Sequence, residues 1–379
     1  MDPPLVRLVA DLPATVPFVG PEALERRSGR PFQLRLGANE SLFGPSPQAA
    51  EAMRAAVEQV ALYGDPENAE LRSELARAHG VAVENVTVAS GIDDLLGLAV
   101  RAFIEPGVAA VTSLGAYPTF NYHVDGYGGH LERVPYRQDR NDLEALAAAA
   151  HRVQARLVYL ANPDNPTGTW HSARDLRTFV DRLPPDCLLL LDEAYVDFAP
   201  PDAVPAIDAT DPRILRLRTF SKAHGMAGAR IGYAIAPAPI VAAFDKIRLH
   251  YGVNLIAQEG ALASLADPAH IQRVVAAVAQ GRREYEELAR SLGLSTLPSA
   301  ANFVAIDVGE AAQARALLTS LEEHGVFVRM PSAPPLDRCI RVTVAPPPQR
   351  AAFAAILREV WTTLHPSSRR EHAGGDVAP

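Results

Sequence analysis

The segment Thr219-Phe220-Ser221-Lys222-Ala223-His224-Gly225-Met226-Ala227-Gly228-Ala229-Arg230 decides how this chain is interpreted. It places Lys222 directly behind a run with strand character and Arg230 farther along the same segment. Upstream, Asp192 ends the apolar run Cys187-Leu188-Leu189-Leu190-Leu191. Ligands bind at the carboxyl ends of strands in open α/β sheets. We therefore expect Asp192 to point into a crevice.

These three residue types have a shared chemistry. Enzymes that use pyridoxal 5'-phosphate (PLP) need a lysine that holds the cofactor as a Schiff base, an acidic group against the pyridine nitrogen, and cations with backbone N–H groups for the phosphate. Lys222, Asp192 and Arg230 can supply these functions. Any one of them alone is more often a solvated charge or half of an ion pair. Their combination indicates a PLP site.

Two further segments fit the same site. The stretch Ala161-Asn162-Pro163-Asp164-Asn165-Pro166-Thr167-Gly168 follows an apolar run and predicts a tight loop that leaves a strand. Turn chemistry alone would explain its prolines and glycine, whereas the functional interpretation is that the Asn165 amide donates to the cofactor's ring oxygen. Ser90-Gly91-Ile92-Asp93-Asp94 predicts a helix start behind a strand at 85–89. Backbone N–H groups at such a start can bind phosphate, although most Ser-Gly pairs are only N-caps.

On these residues the chain resembles the fold-type I PLP-dependent aminotransferases of class I and II. Within that group it is most similar to the histidinol-phosphate aminotransferases, over roughly residues 35–360. The resemblance implies an α/β fold with a mostly parallel sheet flanked by helices and a smaller α+β domain. It also implies PLP as cofactor, and small amino-acid and oxo-acid substrates.

The resemblance assigns roles to individual residues. Lys222 is the Schiff-base lysine, Asp192 pairs with the pyridine nitrogen, and Asn165 and Tyr195 bond the ring oxygen. Tyr117 stacks on the pyridine ring, although a tyrosine alone at this position would more often be a core or surface residue. The residues that it implies for the phosphate are Gly91, Ile92, Asp93, Ser221, Arg230 and, from the partner subunit of a homodimer with shared active sites, Tyr63.

The substrate end is also implied by the resemblance. Asn39, in Asn39-Glu40-Ser41-Leu42, lies in a loop near the active-site mouth. Arg341 matches an arginine that binds a substrate carboxylate through its planar fork. Arg329 lies where histidinol-phosphate enzymes have an arginine for the substrate phosphate; a solvated charge at a strand end is an equally good interpretation.

The chain departs from the family pattern in places that concern the substrate. Phe18 stands where many histidinol-phosphate enzymes have a tyrosine, and Ser41-Leu42 replaces the usual Asn-Pro. Asp164 replaces a common asparagine, and His224 a common tyrosine. These departures leave open whether the substrate is phosphorylated. They leave the PLP residues unchanged.

Composition is typical of a cytoplasmic enzyme. The chain has 379 residues with 48% hydrophobic content, which is enough for two domains and a large core. A net charge of −8 without a basic stripe argues against nucleic acid and anionic membranes as partners. Cys187 and Cys339 lie in apolar runs and predict buried thiols rather than a disulfide framework. We see no signal peptide, no apolar run of membrane-spanning length and no metal-ligand spacing.

The pattern along the chain predicts four segments. Strands near 86–89, 109–112, 157–161, 187–191, 214–219 and 230–236 alternate with helices near 69–79, 92–103 and 173–183. After Asp267 a long helix, at about 271–292, precedes strands near 302–307 and 339–344 that bracket a helix at 311–324. The predicted segments are 1–38, which completes the small domain, a PLP-binding domain at 39–267, a small domain at 268–366 and a disordered tail at 367–379.

Three functions remain open at the level of sequence. The first is an aminotransferase that passes an amino group from a donor such as glutamate to an oxo acceptor, including imidazole-acetol phosphate. The second is another PLP reaction on the same scaffold, such as decarboxylation, elimination or cyclisation, because a fold does not settle the chemistry. The third, a PLP-binding regulator, would be expected to carry a helix-turn-helix domain, and the residues before Asn39 are too few for one.

Overall fold

The computed structural model describes residues 3–12 and 19–366 of the chain. Phe18 and the tail 367–379, on which two sequence expectations rest, lie outside these ranges. The α-helices are α1 Arg7–Ala10, α2 Pro21–Ser28, α3 Pro47–Val57, α4 Ala69–His79, α5 Ile92–Phe103, α6 Thr119–Gly126, α7 Leu143–Arg152, α8 Ala173–Asp181, α9 Ala238–Asp245, α10 Leu255–Leu265, α11 Pro268–Ser291, α12 Ala311–Glu323 and α13 Pro347–Leu364. The strands are β1 Leu34–Arg35, β2 Val86–Ala89, β3 Ala109–Ser113, β4 His130–Val134, β5 Leu157–Ala161, β6 Leu188–Asp192, β7 Ile214–Thr219, β8 Gly232–Ile235, β9 Ser295–Thr296, β10 Phe303–Asp307, β11 Val326–Phe327 and β12 Cys339–Thr343.

The central sheet has the strand order β2-β8-β7-β6-β5-β3-β4. Strand β8 runs antiparallel to both of its neighbours, and the other pairings are parallel. Every residue of β5 and β6 is buried, which is the pattern of parallel strands covered by helices on both faces. The predicted α/β class with a mostly parallel sheet is confirmed. Strand β4 is absent from the predicted strands because this edge strand interleaves charged residues with apolar ones.

Strand register brings the chemically active residues to one edge of this sheet. Ala161 at the end of β5 pairs with Asp192 at the end of β6, and Asp192 pairs with Leu217 of β7. Strand β7 then ends at Thr219, shortly before Lys222. Because parallel strands end at the same side of a sheet, these loops meet at one crevice.

The C-terminal part forms a second, smaller layer. Strands β12, β10 and β9 form an antiparallel sheet. Strand β1 of the N-terminal segment pairs in parallel with β11, with Leu34 opposite Val326. Helix α11 starts at Pro268 because the Asp267 side chain accepts from the His270 N–H and proline fits the first turn. These pairings support our proposed division into 1–38, 39–267 and 268–366.

The cysteines and the long helices bear on two of the sequence expectations. Cys187 and Cys339 are buried and form no disulfide. Cys187 lies just before β6 rather than inside it, whereas Cys339 begins β12. Among the helices in 3–12 and 19–366, none combines the length and apolar character that a membrane crossing needs.

A buried ion-pair cluster joins β6 to β7 directly behind the crevice. Glu193, only 2% exposed, accepts from Arg216 Nη2 at 2.5 Å and from Arg218 Nε at 2.9 Å. Burial raises the pKa of Glu193, but Arg218 and Arg216 outweigh it and hold the pKa below the usual value. Two guanidinium groups therefore depend on one carboxylate inside the protein.

We predict that Glu193→Gln destabilises the fold by about 3–5 kcal/mol, because removing one partner leaves buried charges uncompensated. Urea unfolding of the variant and the wild type measures this difference. Glu74→Gln is the control, since its partner Arg77 lies at 2.5 Å but both side chains are exposed, and an exposed pair contributes less than about 1 kcal/mol. Equal losses in the two variants would contradict the prediction.

Candidate active site

A cavity of about 800 Å³ opens at the carboxyl ends of β5, β6 and β7. It brings together most of the residues that the sequence nominated, from both the central sheet and the C-terminal layer. The nominated residues that line it are Asn39, Ile92, Asp93, Tyr117, Asn165, Asp192, Tyr195, Ser221, Lys222, Arg230, Arg329 and Arg341. Gly91 and Tyr63 do not line it.

Lys222 projects its amine into this cavity from the loop after β7. Its Nζ donates to the Asn39 carbonyl oxygen at 3.0 Å. Burial, with Arg341 adding to it, lowers the pKa of Lys222 to about 8. A lysine with a lowered pKa is more often neutral and is therefore a better nucleophile and base.

Asp192 is a buried carboxylate at the end of β6. Its Oδ2 accepts from the Tyr159 hydroxyl at 2.7 Å, and its Oδ1 accepts from the Ala194 N–H at 2.9 Å. Burial raises the pKa of Asp192 to about 6, although these two hydrogen bonds oppose the rise. A positively charged ligand atom placed beside this carboxylate would be strongly favoured.

Asn165 and Tyr195 are each oriented by a hydrogen bond from a neighbouring side chain to their side-chain oxygen. Arg341 Nη1 donates to Asn165 Oδ1 at 2.5 Å, which leaves the Nδ2 side of that amide as a donor. Asn39 Nδ2 donates to the Tyr195 hydroxyl at 3.0 Å. Burial raises the pKa of Tyr195 to about 12, so its phenol keeps its proton. Two protonated donors can thus be offered to an anionic oxygen.

The start of helix α5 provides an anion cradle. Ile92 and Asp93 line the cavity at the first turn of this helix, where N–H groups and the helix dipole favour negative charge. The Gly91 N–H donates to Ala89 O at 2.7 Å, and its expected contact with a phosphate stays a prediction. Gly91 also provides space: it has a φ of +93°, and a Cβ there would lie 2.8 Å from Arg230 Nη2. The Arg230 guanidinium lies against it at the helix start.

Two tyrosines with predicted cofactor roles lie in different surroundings. Tyr117 lines the cavity, and its hydroxyl donates to Asp93 Oδ1 at 3.0 Å. Burial raises the pKa of Tyr117. Tyr63 is 80% exposed, and its ring centroid lies 4.5 Å from that of Tyr251. Its expected contact with a partner's phosphate site stays a prediction.

Arg329 and Arg341, the two arginines predicted to bind substrate, pair through their backbones. The Arg341 N–H donates to Arg329 O at 2.6 Å, and the Arg329 N–H donates to Arg341 O at 3.2 Å. Arg341 Nη2 donates to Gly37 O at 2.9 Å, and burial lowers the pKa of Arg341 to about 10. Arg329 Nη2 donates to Val19 O at 2.7 Å. Both guanidinium groups thus retain N–H groups that can face an anion in the cavity.

Sequence patterns missed Tyr159 and did not show what Asp164 and His224 contact. Tyr159, which donates to Asp192, was detectable only as a hydroxyl inside an otherwise apolar strand. Asp164 is buried and accepts from Thr167 Oγ1 at 2.7 Å and from Tyr136 and Asn141, so it stabilises the loop that carries Asn165. His224 does not line the cavity and instead pairs with Ser264 Oγ at 2.7 Å.

These features fit PLP. The first turn of α5, the Ser221 hydroxyl and the Arg230 guanidinium line the cavity together and offer the donors and positive charge that a phosphate needs. The absence of a side chain at Gly91 leaves room for the guanidinium there, because a Cβ would lie 2.8 Å from Arg230 Nη2. A protonated pyridine nitrogen would compensate the buried Asp192. Comparisons with known proteins agree with this chemistry.

The family model for "Aminotransferase class I and II" matches residues 32–355. Histidinol-phosphate aminotransferase 2 of Carboxydothermus hydrogenoformans is 35% identical over 94% of this chain and 99% of its own length. Histidinol-phosphate aminotransferase of Roseiflexus castenholzii is 36% identical over 93% of this chain and 96% of its own length. The crystal structure of histidinol-phosphate aminotransferase from Sinorhizobium meliloti in complex with PLP is 48% identical, with a TM-score of 0.92, and covers 96% of this chain and 99% of that one.

The raised pKa of Asp192 predicts a pH-dependent stability cost in the cofactor-free protein. The folded carboxyl holds its proton more tightly than the unfolded one, so its contribution to stability is present below pH about 4 and is lost as the pH rises through about 6. The rise from 3.8 to about 6 corresponds to about 2–3 kcal/mol. We expect Asp192→Asn to gain stability relative to the wild type across this interval in urea titrations. A stability difference that stays constant from pH 4 to 7 would contradict the prediction.

Proposed function

The chain belongs to the class I and II aminotransferases, and from this premise we propose that it transfers an amino group between histidinol phosphate and 2-oxoglutarate. It is a PLP-dependent aminotransferase. The observation that carries the proposed substrate is the pair Arg329 and Arg341 in one cavity, in a chain 48% identical to the Sinorhizobium meliloti enzyme. We place the reaction in histidine biosynthesis and in the cytoplasm, in keeping with two buried free thiols.

Lys222 is the proposed catalytic residue. PLP, when bound, supplies an electron sink for negative charge that develops on the substrate carbon. Lys222 Nζ, with its pKa lowered to about 8, takes a proton from the substrate carbon that carries the nitrogen. The same atom would hold this proton and later give it back, so that Lys222 would act first as the base and then as the acid. The Asn39 carbonyl, 3.0 Å from Nζ, holds the amine in position.

The surrounding residues would bind and orient PLP. Asp192 would keep the pyridine nitrogen protonated, and its own position is fixed by Tyr159 and Ala194. Asn165 and Tyr195 would donate to the ring oxygen, and Tyr117 would cover one face of the ring. The phosphate would be held by Ile92, Asp93, Ser221 and Arg230.

Two anion positions match the two substrates. Glutamate and 2-oxoglutarate present carboxylates, which suit the buried, planar guanidinium of Arg341. Histidinol phosphate presents a phosphate, for which we propose Arg329. The backbone pairing of these two residues holds both cations on one wall of the cavity.

The substrate proposal is tested by assaying the purified holoenzyme with histidinol phosphate, histidinol and common amino acids as donors. We expect the highest kcat/KM for histidinol phosphate. Arg329→Ala should raise its KM about 10- to 150-fold, because a charge-assisted contact contributes about 1.5–3 kcal/mol. The KM for unphosphorylated histidinol should change little.

Two variants control this experiment. Arg133→Ala removes another cavity-lining guanidinium, which is half exposed beside Asp125, and should have a small effect. Lys222→Ala provides the inactive blank. A higher kcat/KM for an unphosphorylated amino acid would reject the histidinol-phosphate proposal and leave the aminotransferase assignment intact.

We further propose a homodimer in which Tyr63 completes the partner's phosphate site. The rings of Tyr63 and Tyr251 contact each other at the surface, with centroids 4.5 Å apart and planes tilted by 35°. Around them Val60, Leu62 and Leu249 are 62%, 68% and 74% exposed. Large exposed apolar side chains of this kind are typical of protein–protein interfaces.

Subunit mixing tests the shared site. Dimers of Lys222→Ala and of Tyr63→Ala should each be impaired, but a mixed dimer has one site with an intact Lys222 and an intact Tyr63. Random exchange should restore roughly a quarter of the wild-type activity. Mixing Lys222→Ala with Asp192→Ala is the control, because both lesions lie in residues that each chain contributes to its own cavity. A mixture no more active than the average of its components, or a fully active monomer, would contradict the proposal.

A further inference from the structure

Arg338 connects three parts of the chain. Its Nη1 donates to Pro335 O at 2.7 Å, and its Nε donates to Asp307 Oδ2 at 2.8 Å. Both of these partners belong to the C-terminal layer. Its Nη2 donates to Asp139 Oδ2 at 2.8 Å, and Asp139 belongs to the layer of the central sheet. One guanidinium thus bridges the two layers.

Asp139 is presented by an unusual turn. Gln138 and Asp139 have φ values of +52° and +60°, a left-handed conformation that non-glycine residues seldom adopt. Arg137 and Arg140 close the turn by exchanging backbone hydrogen bonds of 2.9 and 3.1 Å. The Asp139 carbonyl also accepts from Thr169 Oγ1 at 3.4 Å, in the loop that continues from Asn165. The turn is therefore bound to the loop that carries Asn165, one of the residues that line the cavity.

Arg338 also anchors a loop that lines the cavity. We call residues 330–335 the mouth loop; its residues 330–333 line the cavity. It lies so close to the central-sheet layer that a Cβ at Gly115 would be 2.8 Å from Ala333 Cβ. The backbone pairing of Arg329 with Arg341 fixes its first end, and Arg338 fixes its last end through Pro335 O.

We propose that Asp139 is a positioning residue for substrate: by binding Arg338 across the two layers, it holds the mouth loop against Gly115 and sets the width of the cavity mouth. Asp139 and Arg338 side chains are only 22% and 21% exposed, so this ion pair is screened less than a surface pair. Loss of the carboxylate leaves Arg338 bound to Asp307 but free to move with the C-terminal layer. Substrate then binds a protein whose mouth loop is less ordered.

The test compares two isosteric variants that each remove one carboxylate 2.8 Å from Arg338. Asp139→Asn removes the contact between layers, and Asp307→Asn removes the contact within the C-terminal layer. Asp139→Gly is a third variant, because glycine tolerates the positive φ while removing every side-chain contact. Hydrogen exchange by mass spectrometry of the holoenzymes reports on residues 328–340, and steady-state kinetics report on substrate binding.

We expect faster deuterium uptake of the mouth loop in both Asp139 variants and wild-type uptake in Asp307→Asn. The KM for histidinol phosphate should rise about fivefold in Asp139→Asn and about tenfold in Asp139→Gly, with kcat changed less than about twofold. Equal changes in the Asp139 and Asp307 variants, or wild-type exchange in Asp139→Gly, would overturn the inference. The kinetic part rests on the proposed substrate, whereas the exchange part does not. A failure of the substrate proposal therefore leaves the role of Asp139 decided by exchange.

Discussion

The parallel pairing of β5, β6 and β7 is the constraint on which the site depends. Their buried, apolar residues fix the register, and that register sets Ala161, Asp192 and the end of β7 at one edge of the sheet. A shift by one residue would turn every side chain to the opposite face, which would separate Asp192 from Tyr159. The ion pairs of Glu193 with β7 reinforce the same register from inside the protein.

Desolvation dominates the electrostatics of the cavity. Burial is the largest cause of the pKa shifts of Lys222, Asp192, Tyr195 and Arg341, and in each case it favours the neutral form. Such groups are poised to interact strongly with a ligand that brings complementary charge. A phosphorylated cofactor with a protonated ring nitrogen and an anionic substrate would supply charge complementary to Asp192 and Arg341. The cavity thus combines an amine whose pKa is lowered to about 8 with preorganised partners for the rest of the ligand.

Asn39 links the two layers at Lys222. Its carbonyl accepts from Lys222 and from Asn302 Nδ2 at 3.0 Å, and its own N–H donates to Thr343 Oγ1 at 3.0 Å. Its φ of +55° permits this arrangement, which asparagine tolerates better than most residues. The position of Lys222 is therefore coupled to the placement of β12, the strand that carries Arg341. Asn39, predicted as a substrate contact, has its side chain engaged with Tyr195.

The sequence by itself determined the fold class, the order of most elements and the nature of the central site. Strands 157–161 and 214–219 coincide with β5 and β7, because buried apolar runs are local patterns. Lys222, Asp192 and Asn165, which line one cavity, could be nominated together because cofactor chemistry restricts residue type and spacing. Only the tertiary structure decided that the Gly91 N–H is already bonded, that Tyr159 supports Asp192, and that Asp139 meets Arg338. The contacts of Tyr159 with Asp192 and of Asp139 with Arg338 join residues far apart in the chain, and the Gly91 contact depends on where one N–H points. A local pattern of residue types does not encode either kind of contact.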